Sequence, residues 1–472
     1  MEIEKGTPTT WGLERKWWVL LAVGVGTFMS ALDASVVNIV LPVVNQAFGS
    51  QVANVEWVIT IYLLVVSGLL LSFGRLGDMR GHKVVYVAGF VIFVLGSALS
   101  GLAQAVWVLV AFRAFQAVGA AMLFANSPAI LTKNFPESQR GQALGLQAAM
   151  TYLGLTLGPA LGGWLTDSFS WRAVFYINVP IGILALLLSW TFIPNDTTHK
   201  EENFDWTGAI TFIVGLILLL LALNQGHSWG WLSPQTLGLA VISIMILGIF
   251  VSLERRSENP MLDLSLFSSR MFSASTLSAV FHYICIYSIL FLMPFYLLQG
   301  RALSAAHAGL LLTAQPLVMV VMAPISGALS DWIGSRLPST LGLGILGIAI
   351  VLLSRVGPAT PLPYVVLSLG LAGLGAGAFT SPNNSALMGA APKQRQGIAA
   401  GILATARNVG MVLGIGFAGA VFTTVLAHGR SGSGQALFQA VQTALLMASG
   451  VAFLGALTSA LRGKDFRNEK LP

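Results

Sequence analysis

Two ionisable side chains stand where a lipid-facing chain tolerates few. Asp33 interrupts an apolar run about nine residues from its far end, roughly 13 Å by helical rise, and Arg113 interrupts another about eight residues from its end, roughly 12 Å. A charge near the middle of a membrane costs at least ~2.5–3.5 kcal/mol, so such residues pair or do work. At similar depth the two can pair across a helix bundle. Desolvation favours the protonated form of a carboxylate and a neighbouring guanidinium favours the ionised one. A change in their separation would therefore load and unload a proton, which is the chemistry a proton-coupled carrier needs. The competing reading is a fixed ion pair that only orients helices.

Other polar residues share these runs. Arg407 is either a second internal cation, for an anionic group or a lipid headgroup, or a side chain that packs on carbonyls or snorkels. Glu56 opens a run beside Trp57, where an acid at a helix N-terminus needs no function. His282 and Tyr283 either line a cavity or form a satisfied core. Asn38, Gln116, Asn126, Gln147, Gln315, Asn383 and Asn384 divide between a substrate cavity and interhelical hydrogen bonds.

The elements that position these residues follow from composition. The chain has 472 residues, of which 55% are hydrophobic and 9% charged, with mean hydropathy +0.79, so its solvent is lipid. Helices spanning a core of about 30 Å need roughly 20 residues each. Fourteen runs qualify, at about 17–42, 54–73, 84–102, 105–125, 141–165, 173–192, 206–223, 236–253, 272–298, 306–330, 338–356, 362–381, 397–427 and 436–461. The polar start has no cleavable leader pattern, so the first run stays as a span. Of 25 Lys+Arg, 19 fall on the side of the termini and four on the other, which predicts cytoplasmic termini in a plasma (bacterial inner) membrane. The charge of +7 thus reports topology and not nucleic-acid binding.

An internal repeat is visible. Pro136, Gly141, Gly145, Gly154 and Gly158 recur as Pro392, Gly397, Gly401, Gly410 and Gly414, displaced by 256; Gly74, Leu76, Asp78 and Gly81 recur as Gly327, Leu329, Asp331 and Gly334, displaced by 253. Each shift equals eight spans, an even number, so the repeats are parallel. The expected organisation is a six-helix bundle over 1–193, two inserted helices with linkers over 194–270, and a second six-helix bundle over 271–472.

Two glycine-rich segments suit conformational change. Gly74, Arg75, Asp78, Arg80 and Gly81 form a tight link between spans 2 and 3, in which Asp78 can reach a helix N-terminus or a basic neighbour. Gly154, Gly158, Pro159, Gly162 and Gly163 give span 5 a small-residue surface for close packing. The sequence resembles the fourteen-helix drug:proton antiporters of the major facilitator superfamily over nearly its whole length. The resemblance is carried by Asp33 within Leu32–Pro42, by Gly74–Lys83, by Arg113–Gln116, by Gly158–Gly163 and by Trp229-Gly-Trp231. It departs at Ser35, His82 and Ala117.

The resemblance implies an all-α major facilitator fold, proton coupling through Asp33 and Arg113, a latch containing Asp78, and an exchange direction set with the help of Gly158 and Pro159. It also implies a monomeric exporter of lipophilic or amphiphilic molecules whose partners are substrate, protons and lipids, with a proton gradient in place of a cofactor. A lipid or specific-metabolite carrier is the alternative, and a membrane sensor a lesser one. With Asp33 the one acid well inside, strongly dicationic substrates are disfavoured. ATP-driven transport lacks a phosphate-binding loop, and Gly342, Gly344 and Gly347 match a dinucleotide pattern only within a span. No cluster of acids, histidines or cysteines marks an enzyme or a metal site; the lone Cys285 lies in a span.

Overall fold

A computed structural model describes residues 14–50, 52–195, 204–230, 233–256, 262, 264–303, 305–428 and 435–463. These residues form helices joined by short turns, and no strand occurs among them. With no water to satisfy exposed backbone groups in hydrocarbon, the apolar runs close their own hydrogen bonds as helices. Among the described residues, thirteen helical segments are long and apolar enough to cross a membrane. The other expected span is present as the 29-residue helix Arg140–Ser168, whose glycine, glutamine and threonine content keeps it less apolar than the rest.

The chain divides into two compact units. Unit 1 holds 1–205 together with 392–401, and contains α1 (Arg15–Phe48), α2 (Val52–Arg80), α3 (His82–Gly101), α4 (Val106–Asn134), α5 (Arg140–Ser168), α6 (Ala173–Tyr176) and α7 (Asn178–Phe192). The sixth expected span is thus broken at Ile177 into a single turn and a longer helix. Unit 2 holds 206–391 and 402–472, with α8 (Trp206–Trp229), α9 (Pro234–Glu254), α10 (Arg270–Pro294), α11 (Ala305–Leu312), α12 (Ala314–Ile333), α13 (Arg336–Leu353), α14 (Leu362–Ala390), most of α15 (Gln396–His428) and α16 (Gln435–Ala460). Ser233 and Ser269 cap α9 and α10 by accepting from Thr236 N and Phe272 N at 3.2 and 3.4 Å, each worth about 1 kcal/mol. The inserted pair, α8 and α9, packs on itself, with Ser243 Oγ donating to the Gly215 carbonyl at 2.8 Å.

The repeat read from the sequence is a repeat of packing. In unit 1 a Cβ at Gly154 would lie 2.6 Å from the Phe28 carbonyl oxygen and 2.9 Å from Ala31 Cβ; in unit 2 a Cβ at Gly410 would lie 2.7 Å from the Val280 carbonyl oxygen and 2.8 Å from Tyr283 Cβ. Gly119 meets Gly89 O and Phe93 N as Gly375 meets Gly342 O and Leu346 N. Gly81 and Gly334, equivalent in the motif, hold φ of 94° and 85°, a left-handed conformation that favours glycine as the chain leaves α2 and α12. In lipid, association depends on such close approach because apolar side chains gain little by leaving hydrocarbon.

Candidate functional site

Asp33 lies midway along α1 and Arg113 one-quarter of the way along α4, and both are 1% exposed. Arg113 Nη1 donates to Asp33 Oδ2 at 2.7 Å and to Gln116 Oε1 at 2.7 Å. Gln116 Nε2 returns to Asp33 Oδ1 at 3.1 Å, so the arginine and the glutamine one turn along bracket the carboxylate. A third donor comes from α7: Asn178 Nδ2 reaches Asp33 Oδ1 at 2.8 Å and Ser97 Oγ at 3.0 Å. Ser97 Oγ in turn donates to the Phe175 carbonyl at 2.8 Å. The guanidinium carbon lies 4.2 Å from the centre of the Tyr62 ring and 5.9 Å from that of Phe175, which lowers the cost of burying it.

Among the described residues, Arg113 Nε and Asn178 Oδ1 find no hydrogen-bond partner. The carboxylate is held by three donors, while the amide beside it has spare capacity to accept. Such a site can store one negative charge and reorganise when that charge is neutralised. Asn178 and Ser97 were not among the residues expected from the sequence. The available signal is an amide two residues before Pro180, at the start of an apolar helix.

The Asp78 side chain is 2% exposed, and its two oxygens accept from Gly397 N at 2.9 Å and Ile398 N at 3.0 Å. These are first-turn amides of α15, which has no acid of its own there, so α2 supplies the anion its N-terminus wants. His82 Nε2 is 3.4 Å from Asp78 Oδ1, and its Nδ1 is 2.7 Å from Asn126 Oδ1. The backbones touch beside this contact, because a Cβ at Gly74 would sit 2.3 Å from the Gly397 carbonyl oxygen. Arg75 is buried and Arg80 exposed. A cavity of about 450 Å³ lies nearby, lined by Thr132, Lys133, Pro136, Arg140 and Gln396 among others. Thr132 is 19 residues along α4 from Arg113, roughly 28 Å, so this cavity is separate from the buried network.

Other expected residues are placed as follows. Gly158 meets Ser35 and Gly162 meets Val36, while Gly163, about 100° further round the helix, faces open space off the close seam between α5 and α1. Gln116 and Asn126, considered for a cavity, are both fully buried and hydrogen-bonded within unit 1. Gln147 Nε2 makes a long contact, 3.4 Å, to Thr27 Oγ1. In unit 2, His282 is fully buried, stacked on Phe379 at 4.6 Å, with Nε2 3.4 Å from Thr380 Oγ1. Asn383 is also fully buried, donating to the Ser275 carbonyl at 3.1 Å, and Gln315 is 8% exposed. Tyr283, Asn384 and Arg407 are half-buried. The side chains of Asn38, Glu56 and Pro159, and the residue Trp231, lie outside the described residues.

Comparison with known proteins gives a consistent picture. The family model for the Major Facilitator Superfamily matches residues 23–415 and 275–470. The chain is 36% identical over 417 residues to the riboflavin transporter RibZ of Clostridioides difficile (strain 630), covering 88% of this chain and 90% of that protein. It is 32% identical over 411 residues to the multidrug resistance protein Stp of Mycobacterium tuberculosis (strain ATCC 25618 / H37Rv), covering 86% and 76%. The crystal structure of the human organic anion transporter MFSD10 (TETRAN) superposes with a TM-score of 0.69 at 16% identity, covering 94% of this chain and 99% of that one, a likeness of fold.

Proposed function

Because the chain belongs to the major facilitator superfamily, we propose that it is a proton-coupled antiporter exporting lipophilic or amphiphilic small molecules by alternating access. It is a multi-pass membrane transporter, and relatives at about one-third identity include a multidrug resistance protein. The observation that supports coupling most directly is the Asp33 carboxylate, buried and bound by Arg113, Gln116 and Asn178. Proton arrival removes the charge that holds Arg113. The guanidinium must then find other acceptors, and the neutral carboxyl must find an acceptor for its own O–H. Asn178 Oδ1, unpartnered in this conformation, is chemically suited to that role. Protonation thus favours a different arrangement of α1, α4 and α7.

The Asp78 contact with the first turn of α15 supplies the second part of the reading. Two hydrogen bonds to an ionised acceptor, each about 1.5–3 kcal/mol, are enough to favour one conformation when made and to release it when broken. We assign Asp78 the role of latch, with both termini cytoplasmic in a bacterial inner membrane and the proton gradient as the energy source. The molecule acts as a monomer, with protons, lipids and one small-molecule substrate as its partners.

A second reading, a carrier for a specific metabolite, is favoured by the 36% identity to a riboflavin transporter. Purified protein in proteoliposomes with an imposed pH gradient separates the two. Gradient-driven accumulation of several lipophilic dyes supports the polyspecific exporter, and accumulation of riboflavin alone supports the metabolite carrier. Uptake of either that ignores the pH gradient defeats the proton-coupled reading.

A further inference from the structure

The tautomer of His82 is fixed by its neighbours. Asn126 Nδ2 donates to the Met122 carbonyl at 2.9 Å and to the Phe73 carbonyl at 3.3 Å, so the other end of that amide, Oδ1, is the acceptor. His82 Nδ1 lies 2.7 Å from this oxygen and therefore carries the hydrogen. In the neutral ring Nε2 is then a lone pair, and it faces Asp78 Oδ1 at 3.4 Å, longer than an ordinary hydrogen bond. Two acceptors thus stand opposite each other, on side chains 1% and 2% exposed, at the carboxylate that holds Gly397 N and Ile398 N.

The ring is closely enclosed. A Cβ at Gly77 would fall 2.6 Å from His82 Nδ1, and one at Gly397 would fall 2.9 Å from both His82 Cε1 and Asp78 Cγ. The elements packed on the ring present Gly77 and Asp78 from α2, Asn126 from α4 and Gly397 from α15, and of these Asp78 is the titratable group. The charged residues close by in the chain are Arg75 and Arg80 on α2, Lys83 on α3 and Arg395 just before α15. Arginine and lysine carry a constant charge over the range near neutrality in which imidazole changes its own. A proton taken from water onto Nε2 turns the facing lone pair into an N–H aimed at Asp78 Oδ1. The existing hydrogen bonds survive this step, because Nδ1 stays on Asn126 and a carboxylate oxygen has lone pairs for both the Gly397 amide and the imidazolium. The resulting ion pair is also easier to hold out of water than a carboxylate facing a neutral ring.

We propose that His82 is a second proton-binding site, separate from Asp33, whose occupancy sets the strength of the Asp78 latch. This rests on the latch reading and on cytoplasmic termini, which place His82 at the cytoplasmic end of α3, and it names the regulation of that latch. Acid in the cytoplasm tightens the contact between Asp78 and the first turn of α15 and so favours the latched conformation. Each cycle of a proton antiporter that exports its substrate carries acid inward, so the site closes a feedback on proton entry.

Hydrogen exchange of the Gly397 and Ile398 amides, in full-length protein in nanodiscs, reads the latch directly once each rate is divided by the intrinsic rate at that pH. Gaining one charge-assisted hydrogen bond predicts roughly 10-fold greater protection at about pH 5.5 than at about pH 8.5. His82→Asn, whose amide can still donate to Asn126, should respond flatly to pH. His82→Gln should do the same, and it keeps the test open if the first variant does not fold. Asp33→Asn should keep the wild-type rise, since its own titrating carboxyl is gone. A flat response in the wild type, a fall in protection on acidification, a full rise in the neutral variants or a rise lost in Asp33→Asn overturns the assignment. Asp78→Asn tests the reading beneath it. Protection equal to the wild type's in that variant removes the latch itself, whereas weakened protection there beside an undiminished pH response in His82→Asn removes the switch alone.

Discussion

Replacing Asp33 with Asn keeps the side chain's volume and removes its charge. In the structure the carboxylate accepts from Arg113 Nη1 at 2.7 Å, Asn178 Nδ2 at 2.8 Å and Gln116 Nε2 at 3.1 Å. The amide offers one acceptor oxygen where there were two, so part of this donor set is stranded. Arg113, 1% exposed, becomes a buried cation supported by Gln116 Oε1 as a hydrogen-bond acceptor and by the Tyr62 and Phe175 rings. Breaking a buried pair by removing one partner costs about 3–5 kcal/mol. The Tyr62 ring, at 4.2 Å, moves the expectation to the lower end of that range. The functional magnitude comes from the gradient. One pH unit stores about 1.4 kcal/mol per proton, enough for roughly 10-fold accumulation at one proton per substrate. In proteoliposomes the wild type should approach that ratio, while Asp33→Asn should equilibrate at unity yet still bind substrate. The double variant Asp33→Asn/Arg113→Gln should recover stability without recovering accumulation. Gradient-driven accumulation by Asp33→Asn at the wild-type ratio would refute the coupling argument, and unchanged thermal stability would refute its energetics.

Three further outcomes follow from contacts in unit 1. Asn178→Ala removes a donor to an ionised acceptor and should lower stability by about 1.5–3 kcal/mol, but by much less in the Asp33→Asn background, because the two side chains act on one contact; thermal unfolding of the four proteins measures this. Asp78→Asn gives up one of two charged hydrogen bonds to the first turn of α15 and should shift the balance between conformations about 10-fold; spin labels on α2 and α15 with unchanged distance distributions would remove the latch. Gly158→Leu has no room, since even a Cβ there falls 2.5 Å from Ser35, whereas a Cβ at Gly163 meets nothing within 4 Å and Gly163→Leu starts into open space. Size-exclusion profiles should therefore show loss of monodisperse protein for the first and not for the second.

What the sequence made legible depended on contrast with its background. Asp33 and Arg113 stood out as charges in apolar runs, and their equal depth argued for the pair found at 2.7 Å. The repeat was legible because glycines at helix seams cannot be replaced without moving a backbone, so their spacing records the packing. Asn178 was not legible. An amide in an apolar helix is a weak signal, and its partner Asp33 is 145 residues away. The Asp78 contact spans 319 residues and depends on which helix N-terminus its turn faces, which no local pattern specifies. Gln116 and Asn126 looked like equivalent amides in sequence. One serves the carboxylate, and the other orients His82 beside Asp78.

The repeat also shows where the chemistry is not duplicated. The matched contacts of Phe28 and Ala31 with Val280 and Tyr283 imply a displacement of 252 between α1 and α10, and those of Gly119 with Gly375 imply 256 between α4 and α14. By these registers, Cys285 stands where Asp33 would recur, and Leu369 stands where Arg113 would. Both are fully buried in the apolar core of unit 2. Arg407 on α15 has Thr151 as its counterpart in unit 1, by the displacement of 256 that relates α15 to α5. Two copies of one helical plan have therefore diverged, one keeping a buried carboxylate beside an arginine and the other apolar core at both positions. A carrier with a proton site in each unit would need both protons accounted for in every cycle. Under the proposed coupling the titrating pair lies in unit 1, and this asymmetry predicts that Cys285→Ala leaves gradient-driven accumulation in proteoliposomes intact while Asp33→Asn abolishes it.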